Sequence, residues 1–133
     1  MAIKFAVEEM NSICLKRNLT QLDVGIGLDS GTVIVGNMGS KMRMEYTAMG
    51  YAVNMASRLT DLARSGDMLI TETVYESIKD NVSADRMSEV AIKGFEGPVT
   101  LYNLISLRGP WEDEVKGIAH EAVKELDRQG ILP

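Results

Sequence analysis

The spacing of apolar residues predicts an α+β domain, a largely antiparallel sheet with helices packed on it. Three observations carry this reading. Apolar side chains recur every three to four residues over 3–17, over 51–64 and from residue 110 onward, the period of amphipathic helices. Between these stretches lie short alternating or β-branched runs bounded by turn residues. Some of these runs follow one another directly instead of alternating strictly with helices. That order makes an antiparallel sheet and not a doubly wound parallel one.

Taken in order, 3–17 places Ile3, Ala6, Val7, Met10, Ile13 and Cys14 on one stripe, and Asn18 is positioned to stop the helix. Residues 22–37 (LDVGIGLDSGTVIVGN) read as a hairpin. Val24, Ile26 and Leu28 alternate with small residues, 32–35 is β-rich, and Asp29-Ser30-Gly31 between them is turn chemistry. Residues 36–41 (GNMGSK) read as a loop and 42–48 as a short strand. A helix is expected over 51–64, burying Val53, Ala56, Leu59 or Thr60, and Ala63, and ended by Ser65-Gly66. Residues 67–71 (DMLIT) form a buried strand, and Thr71 or Thr73 caps a helix reaching about residue 79. Two further strands, 86–92 and 99–107, flank the turn Gly94-Phe95-Glu96-Gly97-Pro98. The tail from Pro110 is a last helix with Trp111, Val115, Ile118, Ala119, Ala122 and Leu126 as its stripe and Gly130 at its end. Domain boundaries follow: 1–108 is the sheet domain and 109–133 an amphipathic helical extension.

The composition bounds the function. A chain of 133 residues, 45% hydrophobic and 25% charged, is an ordinary globular domain with a real core. Its net charge is −5, and its 14 basic residues are scattered, which argues against a nucleic-acid surface and leaves room for a site holding one triphosphate. No apolar run approaches the roughly 20 residues that span a bilayer, and Glu8 and Glu9 break the N-terminal apolar stretch, so it does not read as a signal peptide. The single cysteine, Cys14, has no internal disulfide partner and falls on a helix stripe as core. A reducing, cytoplasmic setting is expected.

Several candidate chemistries are weak alone. Gly25-x-Gly27-x-x-x-Gly31 misses the dinucleotide-binding spacing by one and leads into a strand, so its glycines read as room for a close approach of backbone or ligand. GNMGSK lacks the phosphate-loop spacer and order. His120, the only histidine, lies among charged residues on the last helix and reads as a solvated surface group. Asn54 and Arg58 stand one turn apart on one helix face, where an amide and a guanidinium can hold a ribose and developing phosphate charge. On chemistry alone, Arg58 paired with Asp61 or Asp23 on a solvated face is the simpler reading. Lys93, at a strand end before Gly94, can reach a polyphosphate as a flexible point charge or merely solubilise the surface.

Taken together, these residues resemble a known family. The run VGIGLDSGTVIVGNMGSKMRMEYTAMGYAVNMASRLTDLARSGDMLITETVYESI, continued by IKGFEGPVTLYNL, is similar to the second half of class III adenylate/guanylate cyclase catalytic domains, over roughly residues 2–107. The resemblance implies the C-terminal part of a ferredoxin-like, palm-type domain. It also implies roles: Asn54 orients the ribose, Arg58 stabilises the pentacoordinate transition state as the 3′-hydroxyl attacks the α-phosphate, and Lys93 holds the triphosphate tail. Thr47 takes the position that helps select the purine. Many members carry Asp there, and Thr resembles a bacterial subgroup of adenylate cyclases. A hydroxyl both donates and accepts, so Thr47 alone separates ATP from GTP poorly. Asp29 stands where the family often has His, and Tyr51 where a polar residue such as Asp is common.

The family uses two Mg2+ or Mn2+ ions held by two aspartates on an earlier strand and hairpin, and its sites form at a head-to-tail dimer interface. Asp23 and Asp29 flank a different hairpin and do not stand in for those aspartates. The expectation is therefore part of an enzyme that makes cyclic AMP and pyrophosphate from ATP, inactive alone and needing a second copy or a paired cyclase domain. The alternatives are a non-catalytic dimerising or regulatory module, and a guanylate cyclase. Loss of leading strands would also leave sheet edge and apolar surface open to self-association.

Overall fold

The computed structural model describes residues 1–40 and 43–132. The elements run in the order α1 (Ala2–Lys16), β1 (Ile26–Leu28), β2 (Ile34–Ser40), β3 (Arg43–Met49), α2 (Tyr51–Leu62), β4 (Met68–Thr71), α3 (Glu72–Ile78), a 3-10 turn (Lys79–Asn81), β5 (Val82–Arg86), β6 (Val90–Ala91), β7 (Pro98–Val99), β8 (Leu101–Leu107) and α4 (Trp111–Arg128). Four strands form the central sheet in the order β1-β4-β8-β5; β2 with β3 and β6 with β7 make two separate ribbons. The α+β class with an antiparallel-rich sheet holds, and the pair β1/β4 is its parallel member.

β4 is buried along its whole length, as the apolar core Met68-Leu69-Ile70 demands. The two-residue period then sends alternate side chains to opposite faces. On one face Leu69 and Leu101 join Met55 and Leu59 of α2 and Ile92. On the other, Met68 and Ile70 meet Val82, Tyr102 and Leu104, with Val74, Tyr75 and Ile78 packed over them. There Tyr75 stacks on Tyr102 at 3.9 Å and 10°. β8 pairs with β4 through Leu69↔Asn103, Ile70↔Tyr102 and Thr71↔Leu101.

The glycines before the first turn are explained by packing. A Cβ on Gly27 would lie 2.4 Å from the Ala56 carbonyl oxygen and 2.5 Å from the Thr60 nitrogen, so only a bare backbone lets α2 rest on β1. Gly25 faces Ala63 in the same way, at 2.8 Å. Gly27→Val must push the helix off the sheet. It is expected to cost about 3 kcal/mol, the upper range for forced overpacking, read as a lower urea midpoint.

Four expectations are corrected. The hairpin across Asp29-Ser30-Gly31 does not form: β1 pairs in parallel with β4, and β2 pairs with β3. The turn residues instead carry the chain from the central sheet to the separate ribbon, and Asp29 Oδ1 accepts a 2.6 Å bond from the Thr71 hydroxyl. Thr71 does occupy the N-cap position of α3, but its hydroxyl is spent on Asp29 and makes no cap bond. Secondly, Gly36–Ser40 is strand and not loop; Lys41 and Met42 lie outside the described residues. Thirdly, the expected strand 86–92 resolves into the last residue of β5 and the whole of β6, with Met87–Glu89 between them. The buried face of α2 also lies one residue away from the expected stripe, on Ala52, Met55 and Leu59.

α4 packs on α1 with Ala119 and Val123 as its buried residues. Across this seam Arg17 bridges Asp127 at 2.7 Å, His120 Nδ1 sits 2.5 Å from Glu9 Oε1, and Lys116 lies over the Phe5 ring. Val123, absent from the expected stripe, is its most buried member, whereas Trp111 and Ile118 are exposed. Cys14 is buried as expected. The β2/β3 ribbon stands at the other extreme: Ile34, Val35, Tyr46 and Met49 are all about half exposed or more. Among the described residues no helix is long and apolar enough to cross a membrane.

Candidate active site

The site grows from the start of α2. Gly50, at φ +154°, turns the chain out of β3 into the helix, and a Cβ there would press on the Thr32 carbonyl oxygen at 2.9 Å. The Asn54 N–H closes the first helical turn on the Gly50 carbonyl at 3.1 Å. Because Ala52, Met55 and Leu59 face the core, Asn54, Ser57 and Arg58 are turned outward.

Opposite them comes the turn after β6. The β6/β7 ladder holds only Val90↔Val99 and Ala91↔Pro98. Ile92 drops into the core, Gly94 takes φ +90°, and the Phe95 N–H returns to the Ile92 carbonyl at 3.1 Å. Lys93 is thereby held on the outside of the turn. An open cleft of about 320 Å3 results, lined by Tyr51, Asn54, Ser57, Arg58, Lys93, Gly94 and Phe95.

Three of the four residues singled out in the sequence, Asn54, Arg58 and Lys93, thus share one cleft across 35 or more residues of chain between helix and turn. Thr47 does not line it. It sits exposed on β3, paired with Gly36 of β2, where a side chain on the glycine would meet nothing within 4 Å. Tyr51, Ser57 and Phe95 were not singled out as site residues. The signal for Ser57 was available, three residues after Asn54 on the same helix face; that for Phe95 was its place in the turn beside Lys93.

The chain is acidic overall, yet among the described residues no carboxylate lines this cleft, and it carries a guanidinium and an ammonium. Arg58 Nη1 meets Asp61 Oδ2 at 3.3 Å, with both side chains about half exposed or more. Such an i,i+3 surface pair is worth a fraction of a kcal/mol, about 0.3–0.5. It leaves the guanidinium able to turn toward a stronger anion. The polar side-chain groups are thus an amide, two hydroxyls (Tyr51 and Ser57) and two cations, which can grip a polyanion and neutralise growing charge. His120 lies elsewhere, on the α1/α4 seam.

Metal ligands do not gather. Among the described residues no three His, Cys, Asp or Glu side chains come together in a way that could hold an ion. Asp29, the acidic residue at the end of β1, is engaged by Thr71.

The chain and its fold have counterparts among known proteins. The family profile described as the adenylate and guanylate cyclase catalytic domain matches residues 1–106. The chain is 29% identical over 109 residues to adenylate cyclase 1 of Rhizobium meliloti, covering 80% of this chain and 16% of that protein. It is 31% identical over 122 residues to the terminal-differentiation-specific adenylate cyclase of Dictyostelium discoideum, covering 85% of this chain and 6% of the relative. Among solved structures, the adenylyl cyclase CyaB from P. aeruginosa superimposes with a TM-score of 0.66 at 34% identity, over 73% of this chain and 50% of that one. The guanylyl cyclase Cya2 does so with a TM-score of 0.68 at 30% identity, over 79% and 53%. The chain therefore spans less than a fifth of these two curated relatives and about half of the two solved chains.

Proposed function

The chain belongs to the adenylate and guanylate cyclase catalytic domain family, and from that premise we propose that these residues supply the half of a cyclase site that grips the nucleotide and stabilises the transition state. The observation that carries the proposal is the cleft in which Asn54, Arg58 and Lys93 converge. In it Asn54 orients the ribose and Lys93 holds the triphosphate tail. Arg58 meets the charge that builds on the α-phosphate as the 3′-hydroxyl attacks and pyrophosphate leaves. A planar fork suits that oxyanion, and a preorganised donor contributes most where charge develops.

The substrate is a purine nucleoside triphosphate, and ATP is favoured because adenylate cyclases recur among the relatives at about 30% identity. Thr47, out on the β3 arm and away from the cleft, faces the base in a paired domain and contributes a hydroxyl to purine choice. Mg2+ or Mn2+ ions activate the 3′-hydroxyl and neutralise the phosphates when bound. Their carboxylate ligands come from outside these residues, since among the described residues no three His, Cys, Asp or Glu side chains gather to hold an ion. The partner is a second cyclase domain, and the exposed apolar side chains of the β2/β3 arm favour such pairing. Residues 1–108 belong to the catalytic domain and 109–133 form an extension docked on α1.

Titration of the isotope-labelled chain with ATP tests the assignment. Amide signals of 51–58 and 92–95 should move together, while those of α4 stay fixed. Movement confined to other elements, or none at millimolar nucleotide, contradicts it.

A further inference from the structure

Lys93 can serve a polyphosphate only if its turn is held at a fixed distance from α2, and the ladder beneath it is too small to do that. A ribbon of two residue pairs has no independent stability. Two side chains flanking Lys93 and Gly94 provide the anchorage. Ile92 is buried in the cluster of Met55, Leu59, Leu69 and Leu101, and Phe95 packs against the same cluster. The Phe95 ring then meets Tyr51 edge to face, with centroids 4.7 Å apart and planes at 84°. That geometry sets the positive edge of one ring against the negative face of the other.

Tyr51 is the first residue of α2, and Asn54 and Arg58 follow at three and seven positions, on the same side of the helix. The contact therefore ties the lysine-bearing turn to the helix face that carries the other two groups. Tyr51 is itself 66% exposed, so core burial does not explain an aromatic ring here.

We propose that Tyr51 is a positioning residue: its ring clasps Phe95 and fixes the Lys93 turn at the distance from Arg58 that a polyphosphate requires. This rests on the reading of the cleft as a triphosphate site. Inorganic tripolyphosphate titrated into the 133-residue chain, with amide exchange followed in parallel, separates the two claims. Tyr51→Leu should speed exchange at Gly94 and Phe95 and weaken tripolyphosphate binding about two- to tenfold, the range for loss of one aromatic pair. Its thermal midpoint should change little, because the ring is mostly exposed. Tyr51→Phe, which keeps the ring, should restore both properties. Lys93→Ala should weaken binding and leave exchange at Phe95 unaltered.

If Tyr51→Leu matches the parent in exchange and affinity while Lys93→Ala binds poorly, the clasp is wrong and the triphosphate site stands. If exchange quickens but neither variant alters affinity, the triphosphate reading falls and the positioning role with it. Loss of affinity in Tyr51→Phe would place the phenol hydroxyl on the ligand, overturning a purely positioning role.

Discussion

Arg58→Ala should lower turnover about a hundred- to a thousandfold, the range for removing one preorganised donor from developing oxyanion charge, in a dimer of this chain with a metal-binding cyclase domain. The Michaelis constant for ATP should move by only a few-fold. The split follows from where Arg58 stands. Its ground-state partner is Asp61, at 3.3 Å on an exposed surface, a contact too weak to hold the guanidinium against a phosphorane. An interaction made mainly in the transition state lowers kcat and kcat/KM together. Arg58→Lys should recover little, because an ammonium cannot reproduce the fork. An equal loss expressed wholly in KM would make Arg58 a ground-state phosphate anchor.

The second large effect is the difference between the chain alone and the chain paired. By itself it should form no cyclic AMP from ATP and Mn2+ above background. The described lining of the cleft supplies an amide, two hydroxyls and two cations, and neither a carboxylate nor an imidazole to act as general base. Activation of that hydroxyl has to come from metal ions whose ligands do not assemble among the described residues. A non-catalytic regulatory module would also be silent alone, but it would remain silent when paired, and its Arg58 and Lys93 would be replaceable without consequence.

Much of this architecture is legible in the sequence, and the parts that are not share a physical cause. Local periodicity places α1, α2 and α4, capping chemistry at Thr71 or Thr73 places α3, and the apolar run Met68–Ile70 marks the central strand. Strand pairing is non-local. Asp29-Ser30-Gly31 has the chemistry of a tight turn, yet β1 gains more by lying beside β4, where Ile26↔Met68, Gly27↔Leu69 and Leu28↔Ile70 pair. On α2, two adjacent stripes satisfy the helical period. The bare backbone of Gly27 against Ala56 and Thr60 settles the rotation by seating the helix on β1, and Met55 rather than Ala56 faces the core.

The site follows the same rule. The four-residue spacing of Asn54 and Arg58 puts them on one face, and sequence alone gives that much. That Lys93 faces them depends on Ile92 and Phe95 reaching the core under α2, a contact with no local signature. Only the family resemblance joined them before the structure did. Tyr51 could be read from sequence only as a departure from the family pattern; its meaning lies in the ring 44 positions away that it meets.

The central claim is that these residues carry the nucleotide-gripping, charge-stabilising half of a cyclase site. Complementation tests it most directly. The purified chain is mixed with a cyclase domain that retains its metal-binding aspartates but has its own counterparts of Asn54 and Arg58 replaced, so that neither protein is active alone. Cyclic AMP formation should appear on mixing, rise to saturation with added chain, and fail when the chain carries Arg58→Ala. No activity at any ratio, although the two proteins co-sediment, would contradict the claim; so would robust turnover by the chain alone.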